Sequence, residues 1–264
     1  MELIPLLVLG IVSGLLGGML GIGGGVVIVP ALILIYEFTG RYNIADITVV
    51  AVATSMACII FTSFSAAYTQ FRAGKVKFDL VLKLVPFFVL GSFAAGLSTP
   101  LFDAGLLRIL IGLFLMLVAV VMLSKWQPNP TRAFPGPIGS TLTGLSGGYV
   151  SGMAGIAGGN VIVPTLVYFN VPMHNATASS STMGVPIALA GAAGYAFGAP
   201  NGASEWMLGL IDLQSWLAIT IGAVLTAPLG VKFAHRVPAA TLKRVFGAFL
   251  LMVALRMLHS SISL

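Results

Sequence analysis

The chain has 264 residues, of which 58% are apolar and only 8% charged, and its mean hydropathy is +1.05. A soluble domain carries about 25% charged residues, so a water-soluble globule of this length is excluded: it has too few charges to cover its surface. The net charge of +6 does not point to nucleic acid, because the basic residues fall between apolar runs, where they set orientation in a bilayer.

The first apolar segment covers 3–36 and is interrupted by Gly21-Ile22-Gly23-Gly24-Gly25. Glycine at this density breaks a helix. The preceding Met1-Glu2-Leu3-Ile4-Pro5 carries no basic leader, so this segment is read as retained. The β-branched run Val26-Val27-Ile28-Val29 is expected to be partly extended, with the helix restarting at Pro30. Unbroken runs follow at 45–69, 79–99 and 105–124, each long enough to cross a hydrocarbon core of about 30 Å. The stretch from Lys125 to Gly136 is rich in proline and polar residues and reads as a linker. A second interrupted segment covers 137–169, broken at Gly155-Ile156-Ala157-Gly158-Gly159. Three more runs complete the chain, at 174–197, 210–231 and 240–258. The lone Cys58 lies inside an apolar run and reads as a small buried residue, with no disulfide or metal role.

The interrupted segments are copies. Shifting the chain by 134 residues makes ten of the thirteen positions from Gly18 to Pro30 identical to Gly152 through Pro164. Weaker matches follow. Met56 and Ala66 through Tyr68 align with Met183 and Ala193 through Tyr195, and Gly112 aligns with Gly247. Met122-Leu123 aligns with Met257-Leu258. A hydrophobic bias produces chance Val and Ile matches, but not a repeated Gly and Pro pattern.

Arg72, Lys75, Lys77 and Lys83 place the loop near 70–83 on the cytoplasmic side. Its counterpart near 198–212 has only Glu205 and Asp212 and goes outside. Lys232, Arg236, Lys243 and Arg244 place the next loop inside, whereas its first-half counterpart has only Asp103 and Arg108. Arg256, near an end placed outside, runs against this pattern. Equivalent loops thus lie on opposite faces, and both termini come out extracytoplasmic. The expected fold class is an all-α polytopic membrane protein of two inverted-topology repeats, 1–124 and 137–264, joined by a cytoplasmic linker at 125–136. Each repeat opens with a glycine-broken segment, either a re-entrant hairpin or two short crossings, followed by three transmembrane helices.

Inverted repeats with discontinuous helices place a substrate site near the midplane. A helix restarting inside the membrane turns free N–H groups and the positive end of its dipole toward that site, which suits an anion. The same glycines would also serve close helix packing. Candidate contacts are Gly21, Gly23, Gly24, Gly25 and Pro30 at the first break and Gly155, Gly158, Gly159, Asn160 and Pro164 at the second. Thr54, Ser55, Ser180, Ser181 and Thr182 stand at matching places in the following helices, where hydroxyls could donate to anion oxygens or bond the helix backbone. Asn160 replaces Val26, so the site is asymmetric, and Asn160 is either a ligand contact or a backbone partner. His174-Asn175 reads as a cap or solvated surface. Glu37, Asp46, Asp79, Asp103, Glu205 and Asp212 all fall near run boundaries, so no intramembrane proton relay is visible. An inside-negative potential favours anion exit by about 2.3 kcal/mol per charge per 100 mV, which makes export the easier direction.

Gly14 through Pro30, with their copy Gly148 through Pro164, resemble the TauE/SafE family of sulfite and organosulfonate exporters, and the two-half arrangement extends the likeness over nearly the whole chain. The resemblance implies a plasma-membrane permease for sulfite, sulfonates or related organic acids. The expected partners are a small anionic substrate and membrane lipid, with a homo-oligomer left open and neither nucleic acid, metal nor cofactor called for. Two other readings compete with this one. A passive anion channel would share the site. An intramembrane serine protease would use the Gly144-Leu145-Ser146-Gly147 pattern with His174, His235 or His259, but those histidines sit near run ends.

Overall fold

Away from water a backbone must satisfy its own polar groups, which favours helices throughout. The computed structural model describes residues 3–21, 23–124, 136–198, 206–234 and 239–262. In chain order these form α1 (Leu3–Leu20), α2 (Gly25–Thr39), α3 (Ile44–Arg72), α4 (Phe78–Ser98), a single 3₁₀ turn (Thr99–Leu101), α5 (Ala104–Leu123), α6 (Pro137–Met153), α7 (Gly159–Tyr168) and α8 (Met173–Ala196). A two-residue antiparallel pair, β1 (Met207–Leu208) with β2 (Ile211–Asp212), leads into α9 (Leu213–Ala234) and α10 (Ala239–Ile262). The linker expected at 125–136 lies outside the described residues except Gly136. Ile22, Glu205, His235 and Arg236 also lie outside them.

Among the described residues, four helical stretches are long and apolar enough to cross a membrane: Ile44–Arg72, Phe78–Leu101, Ala104–Val121 and Leu213–Phe233. The chain is a multi-pass helical membrane protein. The runs expected at 174–197 and 240–258 are helical as well, as α8 and α10. α8 is less apolar because Ser179-Ser180-Ser181-Thr182 lies in it. Those hydroxyls are tolerated because α3, α4 and α7 pack around the helix. The run expected from 210 instead opens with the β1–β2 hairpin, which Gly209 turns at φ +58 while lying against the Ala196 backbone.

The expected restart at Pro30 is corrected by the structure. α2 begins at Gly25, so Val26 through Val29 are helical and Pro30 sits inside the helix. Likewise Pro164 lies inside α7. In this environment the need for backbone hydrogen bonds outweighs the weak strand preference of β-branched residues.

Small residues set the packing. α1 runs alongside α9 in the same direction, with Gly10, Gly14 and Gly18 facing Ile219, Ala223 and Ala227. α6 runs alongside α4 in the same way: Gly144 meets Phe87, Gly148 meets Phe88, and Gly152 meets Ser92 and Ala95. α3 and α8 cross antiparallel at the centre, Ser63 against Gly184 and Met56 against Gly191. α3 follows α9 through Thr54 with Asp212 and Ser65 with Val224. α4 follows α8 through Lys77 with Ser179 and Ser92 with Ile187. α5 and α10 pair at the flank, Gly112 against Leu258.

Candidate functional site

Each interrupted segment ends one helix and starts another through a glycine in the left-handed region. Gly24, at φ +80, precedes α2, and Gly158, at φ +85, precedes α7; neither start has a side-chain cap. The conformation suits glycine and is strained for other residues. The amide groups of Val27 and Ile28 both bond the Gly24 carbonyl, and those of Val161 and Ile162 both bond the Gly158 carbonyl. Both helices therefore begin with the same tight turn. Ala157 adopts φ +46 where the first copy has Gly23, so the second break holds a strained non-glycine residue.

The two breaks meet. A Cβ on Gly25 would fall on the Gly155 carbonyl oxygen and lie 3.1 Å from the Ile156 Cα. Ser55 Oγ donates to that same Gly155 oxygen at 2.9 Å. Gly155 is left-handed at φ +70 and abuts Val29 and Val52, while Gly21, at φ +68, abuts Thr177 and lies near Ser181. Each break thus packs against the long central helix of the other half of the chain. Gly23 rests on Ile59 and Ser63, and Thr62 Oγ1 donates to its carbonyl at 2.8 Å.

The other sequence candidates divide. Gly159 and Asn160 form the buried first turn of α7. Ser180 is buried on α8, one turn from Thr177 and Gly184. Ser181 and Thr182 return their hydroxyl protons to the helix, to Thr177 O at 3.1 Å and Ala178 O at 3.1 Å. Gly24 lies against Ser13 of α1, and Gly158 against Ile162 and Ile187. Pro30 lines a groove with Ile33, Glu37, Arg256 and Met257. Thr54 Oγ1 accepts from the Asp212 amide at 3.0 Å, outside the meeting point of the breaks. Asn175 donates to the Lys75 carbonyl at 2.8 Å and does not cap α8.

Asp212 was expected at a solvated boundary; its side chain is fully buried. It accepts from Ser215 Oγ at 2.7 Å, Tyr36 Oη at 3.1 Å and the amides of Gln214 and Ser215, capping α9. Arg41 pairs with it at 3.3 Å and also donates to Gln214 Oε1 at 2.8 Å. Burial, followed by the Asp212 charge, holds the nearby Tyr42 phenol well above its ordinary range. A buried cation, Arg108, pairs with Glu37 at 2.9 Å and donates to Thr48 Oγ1 at 2.9 Å. These residues lie at one end of the bundle, close to but separate from the breaks.

Ser146 is on the exposed face of α6, and its hydroxyl donates to Leu142 O at 2.7 Å, one turn back.

The family described as sulfite exporter TauE/SafE matches residues 6–257. The chain belongs to this family. Its relatives include a probable membrane transporter protein of Haemophilus influenzae, 31% identical across 95% of this chain and 96% of the relative. Another is the probable membrane transporter protein YunE of Bacillus subtilis, 26% identical over 99% of each chain. A third, from Methanocaldococcus jannaschii, is also a probable membrane transporter protein, 26% identical over 97% of this chain and 96% of the relative. No solved structure matches the chain. In this TauE/SafE member, sequence reasoning overlooked Ser63 and Gly184, where the central helices cross, and Tyr36, Thr48 and Ser151. Hydroxyl residues spaced along apolar runs were the available signal for Ser63 and Ser151. Nothing local marked Gly184.

Proposed function

We propose that the chain is a transporter, acting as an exporter, of small anions such as sulfite, sulfonates or related organic acids in the plasma membrane. The substrate is held near the midplane between the two breaks, at the N-terminal turns of α2 and α7. The observation that carries this reading is the approach of Gly25, the first residue of α2, to the Gly155-Ile156 backbone, which puts the positive end of α2 against the second break, four residues ahead of the start of α7 at Gly159. Glycine at the closest points leaves backbone amides accessible where a Cβ would intrude.

The halves 1–124 and 137–264 are read as inverted repeats with the 125–136 linker on the cytoplasmic side. Support comes from the exchange of partners, α1 with α9 and α6 with α4, and from the antiparallel crossing of the equivalent helices α3 and α8. A two-fold axis across α3 and α8 interchanges all of these pairs, as inverted-repeat transporters require.

The test uses purified protein in liposomes loaded with sulfite, with a potassium diffusion potential imposed. Saturable efflux accelerated by an inside-negative potential is expected. Efflux indifferent to the potential refutes charge-driven export, and flux that does not saturate favours a passive channel.

A further inference from the structure

We infer that the second break alone carries the polar recognition of the substrate, and that it is built for an anion bearing its own hydrogen-bond donor. This rests on the proposed anion site and narrows its substrate class. Three buried residues, two at the second break and one on α8 between the breaks, have side-chain atoms without a partner among the described residues: Ser151 Oγ, both amide atoms of Asn160, and Ser180 Oγ. They are 0%, 8% and 1% exposed. Ser151 is in the last turn of α6, where its carbonyl accepts from the Ile156 amide inside the break at 3.0 Å. Asn160 is in the first turn of α7. Ser180 lies on α8 between Thr177, which Gly21 abuts, and Gly184, whose added Cβ would come 3.9 Å from the Ala157 carbonyl oxygen.

The copies of Ser151 and Asn160 in the first half have no polar side chain: a shift of 134 carries Ser151 to Gly17 and Asn160 to Val26. Ser180 stands where the first half has Ser55, because the Lys77 amide bonds Ser179 Oγ as the Asp212 amide bonds Thr54 Oγ1; Ser55 Oγ is engaged with the Gly155 carbonyl, whereas Ser180 Oγ is not engaged among the described residues. A two-fold symmetric anion cradle would put such groups on both sides. Buried polar groups without partners are costly, and three such atoms on Ser151 and Asn160 at one break, with Ser180 Oγ facing the space between the breaks, fit a ligand held off the axis, against α7.

The donor count defines the ligand. The anion's oxygens can take the amide N–H₂ of Asn160, the two hydroxyls and the first amides of α7. The amide oxygen of Asn160 can only accept, whichever way the amide is oriented, and the helix start around it offers donors for the anion's own oxygens. A hydroxyl or retained acidic proton on the substrate, next to its charged group, satisfies it. A site built to bond a substrate hydroxyl rejects the analogue that lacks one.

The test is calorimetric titration of the purified full chain with two matched pairs: 2-hydroxyethanesulfonate against ethanesulfonate, and 2-hydroxypropanoate against propanoate. The hydroxylated member of at least one pair is expected to bind about tenfold tighter or more, and Asn160→Val, which installs the residue found at position 26, is expected to reduce that ratio to within about twofold. Ser180→Ala is expected to weaken both members of the pair. Equal affinity within each pair for the unmodified protein overturns the inference and leaves the anion site standing. A preference that survives Asn160→Val overturns the role of Asn160. Binding of none of the four compounds overturns the anion site and the inference together.

Discussion

Replacing Gly25 by alanine tests the meeting of the two breaks. The added Cβ would fall on the Gly155 carbonyl oxygen, 2.5 Å from Ile59 Cδ1 and 3.1 Å from Ile156 Cα. The end of Ile59 can rotate away. The Gly155 oxygen cannot move freely, because Ser55 Oγ holds it at 2.9 Å. A carbon and a carbonyl oxygen rest at about 3.3–3.6 Å, so the breaks must part by roughly 1 Å. Overpacking of this kind costs about 1–3 kcal/mol, and the better helix propensity of alanine offsets up to about 1 kcal/mol of it. A net loss of about 1–2 kcal/mol lowers the melting temperature by roughly 2–8 °C. Separating groups that hold a substrate by about 1 Å costs far more in function, on the order of a hundredfold. The assay is a melt of the purified protein alongside anion efflux from liposomes. Gly136→Ala is the control: a Cβ there meets nothing within 4 Å, so both readouts should stay at wild type. Wild-type melting and efflux for Gly25→Ala would refute the close approach. A lowered melt with unchanged efflux would refute the placement of the substrate between the breaks.

Asp212→Asn removes the charge that Arg41 and four donors share, and is expected to cost about 3 kcal/mol, read as a lower denaturation midpoint in detergent; an unchanged midpoint would show that the network adds nothing. The raised phenol of Tyr42 keeps its proton in the folded chain above pH of about 10, where the unfolded chain ionises. The unfolded state then binds fewer protons, so the Tyr42 contribution is fully present below that pH and is lost as pH rises further. Melts at increasing pH should show this fall, and Tyr42→Phe should flatten it. Ser146→Ala, at an exposed hydroxyl that bonds its own helix, should change stability by less than about 0.5 kcal/mol and leave efflux intact, whereas loss of a proteolytic activity in this variant would revive the protease reading.

The parts of the fold legible in the sequence were those written in glycine and hydropathy. The duplicated Gly18–Pro30 pattern located both breaks, because left-handed turns and close backbone approach leave few residue choices. The start of α2 at Gly25 was misplaced because β-branched residues were weighed against a local preference for strand, while the apolar surroundings enforce helix. Asp212 looked like a boundary residue because hydropathy places a carboxylate in water. Its burial depends on the β1–β2 hairpin folding inward and on Tyr36 and Arg41, 176 and 171 residues away in the chain. Asn160 stood out as the odd residue of the repeat, but its lack of partners among the described residues becomes visible only once α6 and α8 are packed beside α7. Thr54 and Ser55 are adjacent in sequence, yet one serves the Asp212 cluster and the other the second break, a division set by the helical turn between their directions.

The seams formed by Gly10, Gly14 and Gly18 on α9, and by Gly144, Gly148 and Gly152 on α4, bear on how such a molecule can move. Backbones in direct contact have no layer of flexible side chains to slide upon. A rocking motion that kept the first hundred or so residues as one block and the last hundred or so as another would tear both seams at once. Motions that keep them whole carry α1 with α9 and α6 with α4, so each moving part is assembled from opposite ends of the polypeptide. Neither end makes a self-sufficient machine, and a chain severed between them would regain its shape only by the two pieces finding each other again.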